Sequence, residues 1–294
     1  MLHRSTILCA VLAACGGSNE ATCTRDDECA SGFCRADGTC GPADVDASTG
    51  DAPGDGTSGL CAPNLDGMIV LAELPHEAGR SATFRVAANG GTFDTAGTAD
   101  ANNTRRWDLS SQQSGDADRT LALQSPVGTW WQTKFPTATY ATLLASNSDL
   151  LGVFAVDASG ISLLGVVSPA AGSTRTELAY DPPVKILALP LATSSIWTTT
   201  STVSGLALGI VTAYTELYQS RVDQVGTMKT PYGEFPVQRV ATDLTRTQGL
   251  ATLLTKRSFA WIAECFGSVA NVSSQDFETA TEFADPAEIR RLAP

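Results

Sequence analysis

The chain has 294 residues, 43% of them apolar and 17% charged, enough for one large domain with small appendages and a sizeable core. Its formal net charge is -12 and no Lys/Arg cluster offsets it locally, so phosphate backbones are repelled and nucleic-acid binding is excluded. Abundant Thr, Ser, Ala and Gly, with many short apolar runs, point to strands and turns rather than long helices.

Residues 1–14 read as a signal peptide, with His3 and Arg4 ahead of an apolar core from Ile7 to Ala14. Gly16-Gly17-Ser18-Asn19-Glu20 ends that run well short of the roughly 20 residues of a membrane-spanning helix. Leu12-Ala13-Ala14-Cys15 resembles a bacterial lipobox, whose small residues let a peptidase bind extended backbone beside the modified thiol. The resemblance implies cleavage before Cys15, acylation of its sulfur, and a lipid-anchored cell-envelope protein. Gly16 rather than Asp after that cysteine implies the outer membrane, on its periplasmic or surface face. Without Arg4 the mature chain carries about -13, the -12 of the whole less the +1 of Arg4.

Cys9 falls in the leader and Cys15 carries the lipid, which leaves six of the eight cysteines, an even number suited to an oxidising compartment. Residues 15–22 form an anchor segment. Cys23, Cys29, Cys34 and Cys40 follow within residues 23–40, too short a segment to bury a core, so it holds shape through two cross-links. The spacing lacks the C-x2-C pairs usual in structural zinc sites. Three pairings are open; Cys23–Cys34 with Cys29–Cys40 is preferred. This four-cysteine knot is similar to those behind the anchor in myxobacterial-type surface lipoproteins.

Residues 41–60, rich in Gly, Pro, Ala, Asp, Ser and Thr, read as a disordered acidic linker. Asp44, Asp46, Asp51 and Asp55 do not make an EF-hand. A loop starting at Asp44 would put Thr49 where glycine is needed and Asp55 where the bidentate Glu belongs.

Residues 61–294 form the main β-rich domain. Met68 to Leu74 reads as a first strand, followed by Ala82 to Ala88, the turn Asn89-Gly90-Gly91, Trp107 to Ser110 and Leu121 to Leu123. Trp130-Trp131 lies in a strand-like run, one ring facing each way. Asp149 to Val156 and Ile161 to Val167 flank Asp157-Ala158-Ser159-Gly160 as a β-hairpin. Val184 to Leu189, Ile196 to Thr202 and Ile210 to Val222 continue the series, the last with Tyr214, Glu216 and Tyr218 on one face. A Pro231 turn leads into Phe235 to Leu244, then Ser258 to Ala263 and Val269 to Val272. The expected fold is mainly β, a curved antiparallel sheet forming a barrel or half-barrel. Asp285-Pro286-Ala287-Glu288 carries an N-cap, a first-turn proline and a capping-box Glu, and predicts a short C-terminal helix through Arg291. Cys61 and Cys265 bracket this domain and, with the knot paired, are expected to bridge.

Catalytic signatures are scarce. After leader removal His76 is the only histidine, and the chain holds no G-x-S-x-G elbow, H-E-x-x-H, P-loop or dinucleotide fingerprint. Glu216, Asp223 and Glu264 are the least implausible carboxylates for glycoside hydrolysis, and Trp130-Trp131 offers a carbohydrate platform as an alternative to core packing. No cofactor or metal is implied.

Tyr180-Asp181-Pro182-Pro183-Val184, Leu189-Pro190-Leu191 with Ile196-Trp197, Thr230-Pro231-Tyr232-Gly233-Glu234-Phe235-Pro236-Val237, and Glu264-Cys265-Phe266-Gly267-Ser268-Val269-Ala270 resemble segments of uncharacterised bacterial lipoproteins and TapB-type periplasmic domains. Ser194-Ser195 stands where that family has a glycine. The resemblance covers about the last third of the chain. It implies a curved sheet shaped like lipoprotein-carrier domains and brings no catalytic residues. The function expected is non-catalytic binding or scaffolding of an apolar ligand or an envelope protein, with Phe154, Trp197, Phe259 and Trp261 lining a concave sheet. A membrane-tethered, carboxylate-based hydrolase of carbohydrate is the alternative.

Overall fold

The computed structural model describes residues 61–88, 91–101 and 104–294. The lipobox, the four-cysteine knot, the acidic linker and Asn89-Gly90 of the first turn lie outside the described residues. Period-two alternation dominates the rest and folds as β1 (Met68–Ile69), β2 (Ser81–Ala88), β3 (Thr98–Ala99), β4 (Arg105–Asp108), β5 (Asp116–Ala122), β6 (Tyr140–Leu143), β7 (Leu151–Asp157) and β8 (Gly160–Val167). The longer strands follow: β9 (Glu177–Ala188), β11 (Ile196–Ala207), β12 (Ile210–Lys229), β13 (Glu234–Gln248) and β14 (Ala251–Ala263), with β10 (Leu191–Ala192), β15 (Gly267–Ser273) and β16 (Glu288–Leu292).

Twelve of these strands run side by side in the order β5-β2-β16-β15-β14-β13-β12-β11-β9-β8-β7-β6. The two ends meet at a single bridge, where Gln124 and Ala141 exchange backbone hydrogen bonds of 2.7 and 2.9 Å. The sheet is therefore a nearly closed antiparallel barrel, which leaves little free strand edge. β4 and its partner β3 sit outside the ring, β4 pairing in parallel with the Gly226–Lys229 end of β12. Gly226 permits that approach, since a Cβ there would stand 1.9 Å from the Arg105 carbonyl oxygen.

Closure gives the pleat an inside and an outside. On β11 the inward row Trp197, Thr199, Ser201 and Val203 is covered, while Thr198, Thr200, Thr202 and Ser204 are exposed. The inner face is filled: Phe154, Tyr140, Leu163, Tyr180 and Val203 pack together, and Val222, Val240 and Ile262 meet Leu187, Leu189 and Leu191. Three long connections, β2–β5, β5–β6 and β15–β16, cover two outer patches. Phe93, Trp107, Leu109 and Phe283 lie over Phe259, Trp261 and Val237; Trp131 and Phe135 lie over Val153 and Val167. Trp261 is the hub of the first, with Phe93 and Trp107 edge-on at 5.8 and 5.6 Å.

Cys61 and Cys265 are disulfide-bonded, their Cα atoms 5.4 Å apart. The bridge ties the start of the domain to the β14–β15 turn. The hairpin β7–β8 turns at Asp157–Gly160 as its sequence demands, with Ser159 N donating to Asp157 Oδ1 at 2.7 Å.

Four expectations are corrected. The C-terminal helix is absent: Glu288–Leu292 is strand β16, inserted between β15 and β2. One turn and a half of helix is marginal alone, whereas a strand there satisfies the backbone of both neighbours. Its alternation follows, with Ile289 buried in the outer core and Glu288 reaching Ser146. Trp130-Trp131 lies in a turn, not a strand, with Trp131 buried and Trp130 half-buried. Met68 to Leu74 shortens to the two-residue β1 and a 3-10 turn, Leu71–Glu73. The strands are also longer than expected, β12 running 20 residues, because barrel neighbours on both sides keep pairing across local breaks in the apolar pattern.

Candidate functional site

The inner face of β12 carries the cluster that period-two spacing brought together. Tyr214, Glu216 and Tyr218 point inward, and in register with them stand Val203, Ser201 and Thr199 of β11 and Arg246 and Leu244 of β13. Glu216 is fully buried. Its Oε2 accepts the Tyr218 hydroxyl at 2.8 Å, and its Oε1 accepts Arg246 Nε at 2.8 Å. The Arg246 guanidinium lies 4.5 Å from the centre of the Tyr214 ring, a cation–π contact. Burial pushes the Tyr180, Tyr214 and Tyr218 hydroxyls above the ordinary tyrosine range, and the neighbouring Glu216 charge adds to each. Burial works against the Arg246 charge, yet Glu216 together with Tyr214 and Tyr180 more than offsets it and its pKa rises. Both carboxylate oxygens of Glu216 thus accept donors, an arrangement that ties β12 to β13.

A second buried cation lies on the outer face. Arg239 forks onto Asp223, Nε to Oδ1 at 2.9 Å and the far nitrogen to Oδ2 at 2.8 Å, and onto Glu282 at 2.7 and 3.1 Å. It also donates to the Thr95 carbonyl and lies 4.2 Å from the centre of the Phe259 ring. These contacts clasp the β2–β5 and β15–β16 connections to the barrel. Arg291 repeats the device, donating to Asp116 Oδ2 at 2.5 Å while fully buried.

An open cleft of about 460 Å³ lies beside the first clasp, where the β3–β4 segment meets the ends of β12 and β13. Phe93 and Trp107 form its floor, and Asp94, Arg106, Asp108, Lys229 and Glu234 its polar walls. Asp108 already accepts both the backbone N–H and the hydroxyl of Ser110, which hold its carboxyl below the usual range, with Lys229 at 3.7 Å contributing less.

The structure separates most of the residues singled out from sequence. Phe259 and Trp261 do pack together, 6.2 Å apart, but in the outer core. Phe154 belongs to the inner core with Tyr140, and Trp197 packs against the cluster around Val222 and Val240, its Nε1 donating to the Lys185 carbonyl at 2.8 Å. The four line no common groove. Glu216 and Asp223 lie seven residues apart on β12 but face opposite sides after the bulge between Val222 and Gln224. Glu264 is elsewhere, accepting the backbone N–H groups of Asn64 and Leu65 at 2.8 and 3.0 Å beside the disulfide. His76 contacts the Leu74 carbonyl through Nδ1 at 2.7 Å, which makes that nitrogen the donor. Trp130 Nε1 donates to the Ser168 carbonyl at 3.1 Å, with the Arg175 guanidinium 5.6 Å from its ring centre. Among the described residues no group of three His, Cys, Asp or Glu is placed to hold a metal ion. Sequence reading missed Arg239 and Arg291; the signal was an arginine set inside an apolar strand run, Val237 to Ala241 and Ile289 to Leu292.

No family model, curated protein or solved structure matches the chain.

Proposed function

We propose that this is a lipid-anchored cell-envelope protein, tethered through Cys15, whose β domain is a rigid, non-catalytic module that binds or scaffolds at its outer surface. The observation that carries the reading is the filled barrel interior. The aromatic residues that a carrier would present to an apolar ligand are committed to packing, and the buried Glu216 is held by Arg246 and Tyr218. A closed sheet cross-linked at its entry gives a stiff support from which loops and hairpin turns can meet an envelope partner.

The anchor is tested by labelling cells with a clickable palmitate. The expected result is a labelled, membrane-bound parent and an unlabelled Cys15→Ser chain released from the membrane. An unlabelled parent removes the anchor. Native mass spectrometry of the full chain extracted from membranes tests the module: a co-purified apolar molecule inside the folded chain returns the carrier reading, and hydrolysis of a cell-wall or storage glycan that Glu216→Gln abolishes returns the hydrolase.

A further inference from the structure

The connections of an antiparallel barrel leave from two ends, and both expose apolar side chains here: Leu65, Ile196 and Tyr232 at one stand among the charges of Asp66, Glu73 and Glu234, whereas the β11–β12 and β13–β14 turns at the other carry no charge. The β14–β15 turn, with the Cys61–Cys265 bridge, marks one. The β8–β9, β11–β12 and β13–β14 connections leave from the other. β14 alone has 13 residues, so the ends stand about 40 Å apart at ~3.3 Å per residue.

The far end is capped by aliphatic side chains in water. Leu208, Ile210 and Val211 at the β11–β12 turn are 72%, 72% and 82% exposed, and Leu250 and Leu253 at the β13–β14 turn are exposed too. The β11–β12 hairpin projects five residues past its last pairing with β13, Thr215 with Thr247, about 16 Å at ~3.3 Å per residue. It is a stiff projection. The β8–β9 connection buttresses it, the Arg175 carbonyl accepting Gly209 N–H at 2.9 Å and Thr176 Oγ1 accepting Leu208 N–H at 3.3 Å. Leu208 occupies a hairpin apex with φ +52°, a position that glycine or asparagine fills without cost.

We infer that this apolar end is a docking surface for a lipid bilayer, its hairpin turns entering the headgroup and upper acyl region. The charge pattern selects that occupant. Residues 186–215 and 247–255 contain no charged side chain, so neither turn carries the cost of moving a charge out of water. The first charges beside and below the two turns are already paired, Arg175 and Lys134 with Glu177, Arg246 with Glu216 and Lys256 with Asp276. Leu and Val dominate the exposed residues, and protein hot spots under-use both in favour of Trp, Tyr and Arg. The surface is also convex, whereas a protein partner's segment needs a groove. Entry is shallow by necessity. The flanking rows Thr198, Thr200, Thr202 and Ser204 are exposed and polar, unlike the apolar band of a membrane-spanning barrel. The net charge of -12 favours zwitterionic over anionic lipid.

The inference deepens the anchor reading and rests on it for the domain's nearness to a membrane. Residues 16–60 reach at most about 160 Å, so a domain held through Cys15 can lay its far end on the bilayer that holds it.

The test is photo-crosslinking of the full chain to phosphatidylethanolamine–phosphatidylcholine vesicles doped with a diazirine phospholipid, with adducts mapped by peptide mass. Adducts are expected within residues 204–213 and 247–254, falling about tenfold or more in a Leu208→Asp/Ile210→Asp variant. They should be unchanged in a Thr200→Asp/Thr202→Asp variant on the flank. Near-ultraviolet circular dichroism and a urea midpoint matching the parent confirm that each variant is folded. Adducts confined to other regions, insensitivity to the tip substitutions, or chain-to-chain adducts at the turns overturn the inference. The same digest weighs the N-terminal peptide: an acylated Cys15 with a bare tip rejects the docking surface alone, and tip adducts without acylation reject the anchor alone.

Discussion

Arg239→Ala is expected to be the most destabilising single change on the outer face of the barrel. Arg239 is 1% exposed, and its guanidinium makes four bonds to Asp223 and Glu282 between 2.7 and 3.1 Å, as well as one to the Thr95 carbonyl. Removing it leaves two carboxylates facing each other with a void above Phe259, while the Thr95 carbonyl keeps only the Trp107 Nε1 donor at 2.9 Å. Breaking a buried pair from one side costs about 3–5 kcal/mol. At roughly 2–4 °C per kcal/mol for a domain of this size, the melting temperature falls by roughly 6–20 °C. Urea unfolding followed by tryptophan fluorescence measures it, since Trp107 and Trp261 lie beside the site. The midpoint should drop with little change in slope. Arg239→Lys should recover only part of the loss, because a point charge cannot fork onto both carboxylates. Arg239→Met with Asp223→Leu and Glu282→Leu should recover most of it, because no charge is then left unpaired. A loss below about 1 kcal/mol for the alanine variant, or a triple variant no better than the single, refutes the clasp.

Three further outcomes follow from the geometry. Reducing Cys61–Cys265, which spans 204 residues of sequence, should cost about 2–4 kcal/mol, up to the ~5 of chain entropy, and unchanged urea midpoints with and without reductant would contradict it. Gly226→Ala should cost about 1–3 kcal/mol and loosen β4, because the new Cβ would lie 1.9 Å from a backbone oxygen that no side-chain rotation can move; hydrogen exchange of Arg105–Asp108 amides reads this directly, and unaltered protection would speak against it. The third concerns the phenols: burial pushes Tyr140 up to about 12 and Tyr180, Tyr214 and Tyr218 upward as well. With the folded value raised above the unfolded 10, the folded state holds more protons above pH 10, so the contribution is complete below pH 10 and lost as pH climbs through about 12. Absorbance at 295 nm should rise for these four only as near-ultraviolet circular dichroism collapses; full phenolate formation near pH 10 in a folded chain would refute their burial.

Much of the architecture was legible in the residues, because strand alternation and turn chemistry are local. Asp157-Ala158-Ser159-Gly160 announces the β7–β8 hairpin, and Tyr214-x-Glu216-x-Tyr218 puts three polar side chains on one face wherever the strand lies. The pairing of Cys61 with Cys265 follows from parity among the cysteines. What alternation cannot say is which face turns inward, since that depends on how twelve strands close. Glu216 therefore reads equally well as a solvent stripe and as the buried partner of Arg246, and only the ring decides. Closure also overruled the local helix signal at Asp285–Glu288, because β2 and β15 each had an open edge that a strand alone could satisfy. The four aromatics proposed as one groove were scattered for the same reason: closure turns Phe259 and Trp261 to the outer core and puts Phe154 and Trp197 in two separate inner clusters. The sequence by itself determined a cross-linked sheet of hairpins. Tertiary closure decided what is core, what is clasp, and which hairpin turns project into water.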